Sequence, residues 1–143
     1  MRTTLSTTAD PAAIPKVLNA LEGWLGAAGV GGDDLGEWRL LAEEVLMNIV
    51  CHALAPDAQS VIRIVGCCGG DGVEIRFEDE GPPFNPCAVA PPDLSAPVEE
   101  RCAGGLGIHL LQMLADEMAY DYRDGRNLLT LRKRHQPQAL PDA

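Results

Sequence analysis

The sequence predicts an α+β domain. Two segments with helical periodicity occupy the first 56 residues, two short β-branched runs around a glycine turn follow, and a third helical segment leads into a second hairpin. A chain of 143 residues with mean hydropathy near zero suits one domain with a real hydrophobic core. That domain is expected to span residues 1–135. The polar, Pro-containing residues 136–143 read as a flexible tail.

Taken in order, the Thr-rich stretch 2–8 reads as an edge strand. Asp10-Pro11 then supplies a cap and a first-turn proline for a helix running to about Ala28, where Gly29 to Gly32 stop it. Ile14, Val17, Leu18, Leu21, Trp24 and Leu25 recur along it at helical spacing. Asp34 with Glu37 looks like a capping box that opens a second helix, ended by Pro56. Val61–Val65 and Val73–Phe77 are rich in β-branched residues, and Gly69 to Gly72 between them make a hairpin turn. Residues 81–104 carry six prolines and no sustained period, as a functional lid or a disordered loop would. A third helix is expected over Leu106–Met118. The last hairpin then pairs Ala119–Tyr122 with Asn127–Arg132 around a turn at Asp124-Gly125.

Charge narrows the function classes. A formal net charge of −10 opposes binding to nucleic acid or to an anionic membrane, since polyphosphate surfaces select basic proteins, and favours a protein partner or a metal-chelated anion. The N-terminus has no apolar signal core, and no apolar run approaches the ~20 residues of a membrane helix, so the expected location is the cytoplasm. Five cysteines, odd in number and without Cys-x-x-Cys spacing, suggest neither a disulfide framework nor a zinc site, but the incidental thiols of a reducing compartment.

Three places carry candidate chemistry. On the second helix, Trp38, Ala42, Val45, Leu46, Ile49 and Ala53 share one arc, while Glu37, Glu44, Asn48 and His52 follow its border, interrupted by Leu41. Glu44 and Asn48, four residues apart, either sit on an ordinary exposed rim or act together on one ligand. His52 at the helix end reads as satisfying a local carbonyl. In the strand 73–79, parity sends Val73, Ile75, Phe77 and Asp79 to one face, so Asp79 is an acid on the apolar side. It caps the turn to Gly81, escapes to solvent if the strand stops early, or accepts a hydrogen bond from an exocyclic amine such as that of adenine. Gly104-Gly105-Leu106-Gly107 precedes an amphipathic stretch, where it is either a hinge or an anion site built from free backbone N–H groups. Neither the Gly-x-x-x-x-Gly-Lys phosphate loop nor the dinucleotide Gly-x-Gly-x-x-Gly occurs.

The order of these pieces resembles a known superfamily. Residues 41–52, LAEEVLMNIVCH, are similar to the N box of the gyrase, heat-shock chaperone, histidine-kinase and MutL ATPases. Asp79-Glu80-Gly81-Pro82-Pro83-Phe84 resembles the first glycine box of that group, and Gly104 to Gly107 the second. The Glu-x-x-x-Asn-x-x-x-His form, the Gly-Pro-Pro-Phe-Asn-Pro continuation and the ending Asn127-Leu128-Leu129-Thr130-Leu131 are similar to the bacterial anti-sigma factor serine/threonine kinase branch. The likeness spans about residues 5–134.

That resemblance implies a two-layer α/β sandwich of the Bergerat type, with helices on one face of a mixed, mainly antiparallel sheet. It implies ATP and Mg²⁺ as cofactors: Asn48 on the metal bound to the phosphates, Asp79 on the adenine amine, Gly81 passing the base, and Gly105, Leu106 and Gly107 on the phosphates. It further implies Glu44 as general base and Thr130 as a support for Asp79. The implied partners are an anti-anti-sigma protein of the STAS type, a sigma factor and a second copy of the chain. Pro83 stands where the second glycine of Asp-x-Gly-x-Gly is usual, Asn85 where an aspartate is common, and the first helix has no arginine. Two other functions fit the same residues: a module that sequesters a regulator without phosphoryl transfer, and a detached histidine-kinase-type ATPase domain.

Overall fold

A computed structural model describes residues 1–52, 60–86 and 111–134. Strand β1, Arg2–Thr8, is followed by a short 3-10 turn, Pro11–Ala13, capped by the Asp10 carboxylate, which accepts from the Ala12 amide at 3.0 Å. Helices α1, Ile14–Ala27, and α2, Gly32–His52, come next, then β2, Val61–Cys68, and β3, Gly72–Asp79. Residues 111–114 are helical, and the chain closes with β4, Glu117–Arg123, and β5, Arg126–Arg134.

The five strands form one sheet in the order β1-β2-β3-β5-β4. The sheet expected to be mixed is antiparallel at every pairing among the described residues. Alternation along the strands aims Ile62, Ile64, Val73, Ile75, Phe77, Leu129 and Leu131 at one face. There they form one buried cluster with Val17, Leu18, Leu21 and Leu25 of α1 and Trp38, Leu41, Ala42, Val45 and Leu46 of α2. The opposite face carries ion pairs instead, Arg63 to Glu78 and Arg132 to Glu74 and Glu117 across strands and Arg76 to Glu78 along β3. This is the two-layer α+β arrangement, and it leaves the C-terminal half of α2 alongside the end of β3.

Several boundaries differ from expectation for identifiable reasons. Helix α2 starts at Gly32, so Asp34 lies inside its first turn rather than at the cap, where with Asp33 it complements the helix dipole. Glu37, the other half of the expected capping box, instead meets Lys133 on β5, Oε2 to Nζ 2.5 Å. The expected third helix stops at residue 114: Met118 belongs to β4 and pairs with Leu131, because sheet pairing at the edge outweighs a helical period. The β4–β5 turn is where the sequence puts it, with φ of 55° at Asp124 and 77° at Gly125, the left-handed pair that a tight hairpin requires. Cys67 and Cys68 form no disulfide, Cys68 Sγ lying 3.8 Å from the Ala28 carbonyl, but Cys51 is disulfide-bonded, which chain spacing could not reveal. No helix among the described residues is long and apolar enough to cross a membrane. Most of the 81–104 segment, the glycine run 104–107 and the tail from 136 lie outside the described residues.

Candidate functional site

Three elements converge on one cavity. Helix α2 contributes Val45, Asn48 and Ile49, at the i, i+3, i+4 spacing that puts residues on one helical face. The end of β3 and the turn after it contribute Asp79, Pro82, Phe84 and Pro86. The β4–β5 hairpin contributes Tyr120, Asn127 and Leu129. Asn48 and Asp79, from separate parts of the chain, therefore share a single pocket. The space enclosed is about 30 Å³, room for one or two waters and too little for a purine.

Asn48 is 5% exposed, and its amide oxygen finds no hydrogen-bond partner among the described residues. A buried carbonyl oxygen without a donor is costly and calls for an explanation, of which a bound ion or ligand is one. A neutral hard oxygen suits Mg²⁺, which is commonly bound by few protein ligands together with substrate phosphates. Among the described residues no group of three or more His, Cys, Asp or Glu is placed to hold an ion by itself.

Asp79 caps the turn, one of the readings the sequence left open, and it also lines the cavity. Its Oδ1 accepts from the Gly81 amide at 2.9 Å and from Asn127 Nδ2 at 3.1 Å. A side chain at position 81 would put a Cβ 2.9 Å from that same oxygen, so glycine is what lets the turn close on the carboxylate. Burial pushes the Asp79 carboxyl above its ordinary range, opposed by the hydrogen bonds from Gly81 and Asn127.

Glu44 lies one turn before Asn48 on α2, half-exposed and outside the cavity lining. Burial, with the neighbouring Glu43 charge adding to it, raises its carboxyl pKa. Thr130 does not support Asp79. It pairs with Arg76 on β3, and strand parity sends its side chain to the sheet face opposite Leu129 and Leu131. The partner of Asp79 is Asn127, directly across from it in register. The sequence held a signal for this: Asn127 shares the parity of Leu129 and Leu131, so it is a polar residue on the core face, as Asp79 is. Gly105, Leu106 and Gly107 lie outside the described residues.

Comparison with known proteins gives this geometry a lineage. The profile of the histidine kinase-like ATPase domain matches residues 7–133. The chain belongs to that family. Among relatives of this ATPase domain, the Serine/threonine-protein kinase BtrW of Bordetella bronchiseptica is 30% identical over 100 residues, covering 70% of this chain and 70% of its own. The Serine-protein kinase RsbW of Bacillus mycoides is 30% identical over 105 residues, 71% of this chain and 65% of the relative. A solved structure, Acinetobacter baumannii histidine kinase AdeS, aligns with TM-score 0.49 at 17% identity, over 92% of this chain and 67% of that one.

Proposed function

We propose that this chain is an ATP- and Mg²⁺-dependent serine/threonine protein kinase that also acts as an anti-sigma factor. The observation that carries the reading is the shared cavity. It sets an unsatisfied buried amide oxygen on α2 beside a carboxylate at the end of β3, in a family whose relatives are named protein kinases. In this reading Asp79 accepts from the adenine amine, Gly81 lets the backbone pass the base, and Asn48 offers its oxygen to the metal on the triphosphate. Backbone N–H groups of Gly105, Leu106 and Gly107 take the phosphates. Bound Mg-ATP supplies the phosphoryl group. Glu44, whose raised pKa makes it a stronger base than a free glutamate, orients the substrate hydroxyl and takes its proton as the oxygen bonds to the γ-phosphorus and ADP leaves.

The proposed substrate is a serine or threonine on an anti-anti-sigma protein of the STAS type. The unphosphorylated partner occupies the kinase and frees a sigma factor; phosphorylation releases the partner and returns the kinase to sigma. The active form is proposed to be a cytoplasmic homodimer. One observation favours a second reading, sequestration without transfer: the cavity as it stands is too narrow for a purine, with Pro82, Phe84 and Pro86 in its wall.

Incubation with γ-labelled ATP and the cognate STAS protein separates the two readings. Labelled phosphoserine or phosphothreonine is expected from the wild type, and Glu44→Ala is expected to lose at least about a hundredfold in transfer while retaining nucleotide. No labelled partner under any condition would leave only sequestration. Unchanged transfer by Glu44→Ala would remove Glu44 from the base role.

A further inference from the structure

We propose that Asn127 is a positioning residue for purine recognition. It ties Asp79 to the turn at 81–84, so that one carboxylate oxygen faces the cavity and a ligand edge that donates a hydrogen bond is selected over one that accepts. The inference rests on the reading of Asp79 as the acceptor of the purine amine.

Asn127 is 6% exposed and opens β5 opposite Asp79. Its Nδ2 donates to Asp79 Oδ1 at 3.1 Å, to the Gly81 carbonyl at 3.2 Å and to the Pro82 carbonyl at 3.0 Å. Its Oδ1 accepts from the Phe84 amide at 3.0 Å and the Tyr120 hydroxyl at 2.5 Å. These partners fix the orientation of the amide, because a flipped Asn127 would set its N–H groups against the Phe84 donor and its oxygen against three acceptors. The side chain is thereby saturated. It has no capacity left for a ligand and acts through Asp79.

The consequence for Asp79 follows from counting. Gly81 and Asn127 both donate to Oδ1, and nothing among the described residues donates to Oδ2. An ionised carboxylate held this way offers a lone pair to an amine and repels a carbonyl. Without Asn127 the carboxyl loses one of the two donors that favour its charged form and is free to turn. Once protonated it donates to a carbonyl as readily as it accepts from an amine, and the preference collapses.

The test compares calorimetric affinities of full-length protein for Mg-ATP and Mg-inosine triphosphate, which carries a carbonyl where adenine carries the amine. The wild type is expected to prefer ATP at about pH 8, where the Asp79 carboxyl is ionised. Asn127→Ala is expected to reduce that preference about tenfold, and Tyr120→Phe, which removes one hydrogen bond to Asn127, about threefold. Asn127→Asp sets a second carboxyl beside Asp79 and two carbonyls. Among the described residues the other titratable group in the cavity wall is Tyr120, with Asp121 and Tyr122 near it. Like charges raise the pKa of such a pair, so Asn127→Asp is expected to approach wild-type preference near pH 6, where one carboxyl holds a proton to donate, and to lose it near pH 8. Melting of each apo variant reports folding. If Asn127→Ala does not fold, Tyr120→Phe and the pH profile of Asn127→Asp decide. Wild-type preference in these variants, flat with pH, overturns the role of Asn127 alone. A wild type indifferent between the two nucleotides overturns the reading of Asp79 and this inference with it.

Discussion

Under the proposed function, Asp79 is the residue where stability and binding pull in opposite directions. Its pKa is raised in the folded chain, chiefly by burial. Stability from such a group is complete below the unfolded pKa and is lost as pH rises through the folded one, so at neutral pH the ionised carboxylate is a burden on the apo fold. Asp79→Asn keeps an oxygen for Gly81 and Asn127 and removes the charge. It is expected to raise the apo melting temperature by a few degrees at pH 7, with the difference shrinking as pH falls into the carboxylate range, and to abolish the shift caused by Mg-ATP. A neutral-pH melt lower than wild type, or an intact nucleotide shift, contradicts the assignment. The period-2 rule made Asp79 legible as an acid on the core face, and the same rule applied to β5 marks Asn127 and Lys133 as polar residues pointing inward. The resemblance implied Thr130 as the support for Asp79, but its parity turns it to the opposite face. What no pattern supplies is the identity of a partner 48 positions away, since the Asp79–Asn127 contact exists only once β3 and β5 are in register.

Among the elements, α2 shows how much a helical period reveals. Its polar border was readable as the edge of the core, and Leu41 and Asn48 are indeed buried while Glu37 and Glu44 are half-exposed. The sequence shows a local cap for Glu37 within four residues but cannot show Lys133, which arrives from the last strand. Lys133 is 7% exposed, and its ammonium also reaches the Leu114 carbonyl at 3.4 Å, so this one side chain joins β5 to α2 and to the helical turn at 111–114. Breaking such a pair is asymmetric. Glu37→Ala strands a buried ammonium and is expected to cost about 3 kcal/mol. Lys133→Met leaves Glu37 partly in water and should cost clearly less. The Glu37→Leu/Lys133→Met double variant should lie closer to wild type than Glu37→Ala, because an apolar pair of similar size needs no solvation. Urea titrations with matched slopes measure all three. Equal losses in the two single variants would mean that the pair contributes little and that only packing was removed.

For the whole molecule, the sandwich brings the α2 border and the open end of the β3–β5 ladder into one cavity, and this juxtaposition turns scattered polar residues into a candidate site. A cavity of about 30 Å³ is smaller than a purine, and where binding needs a wider form the apparent affinity falls in proportion to the fraction of molecules in that form. Ligand that binds only the folded state still stabilises it by mass action. Mg-ATP at about 100 times its dissociation constant adds ~2.7 kcal/mol, a rise of about 8 °C in melting temperature for a chain of this size. Asn48→Ala removes the buried oxygen without adding bulk, so it is expected to lose most of this rise, and chelating Mg²⁺ from the wild type should cause a comparable loss. Chelation should then change little further in Asn48→Ala, because oxygen and metal act as one unit and their effects do not add. Full additivity between the variant and chelation would place the metal away from Asn48 and require a different ligand for it.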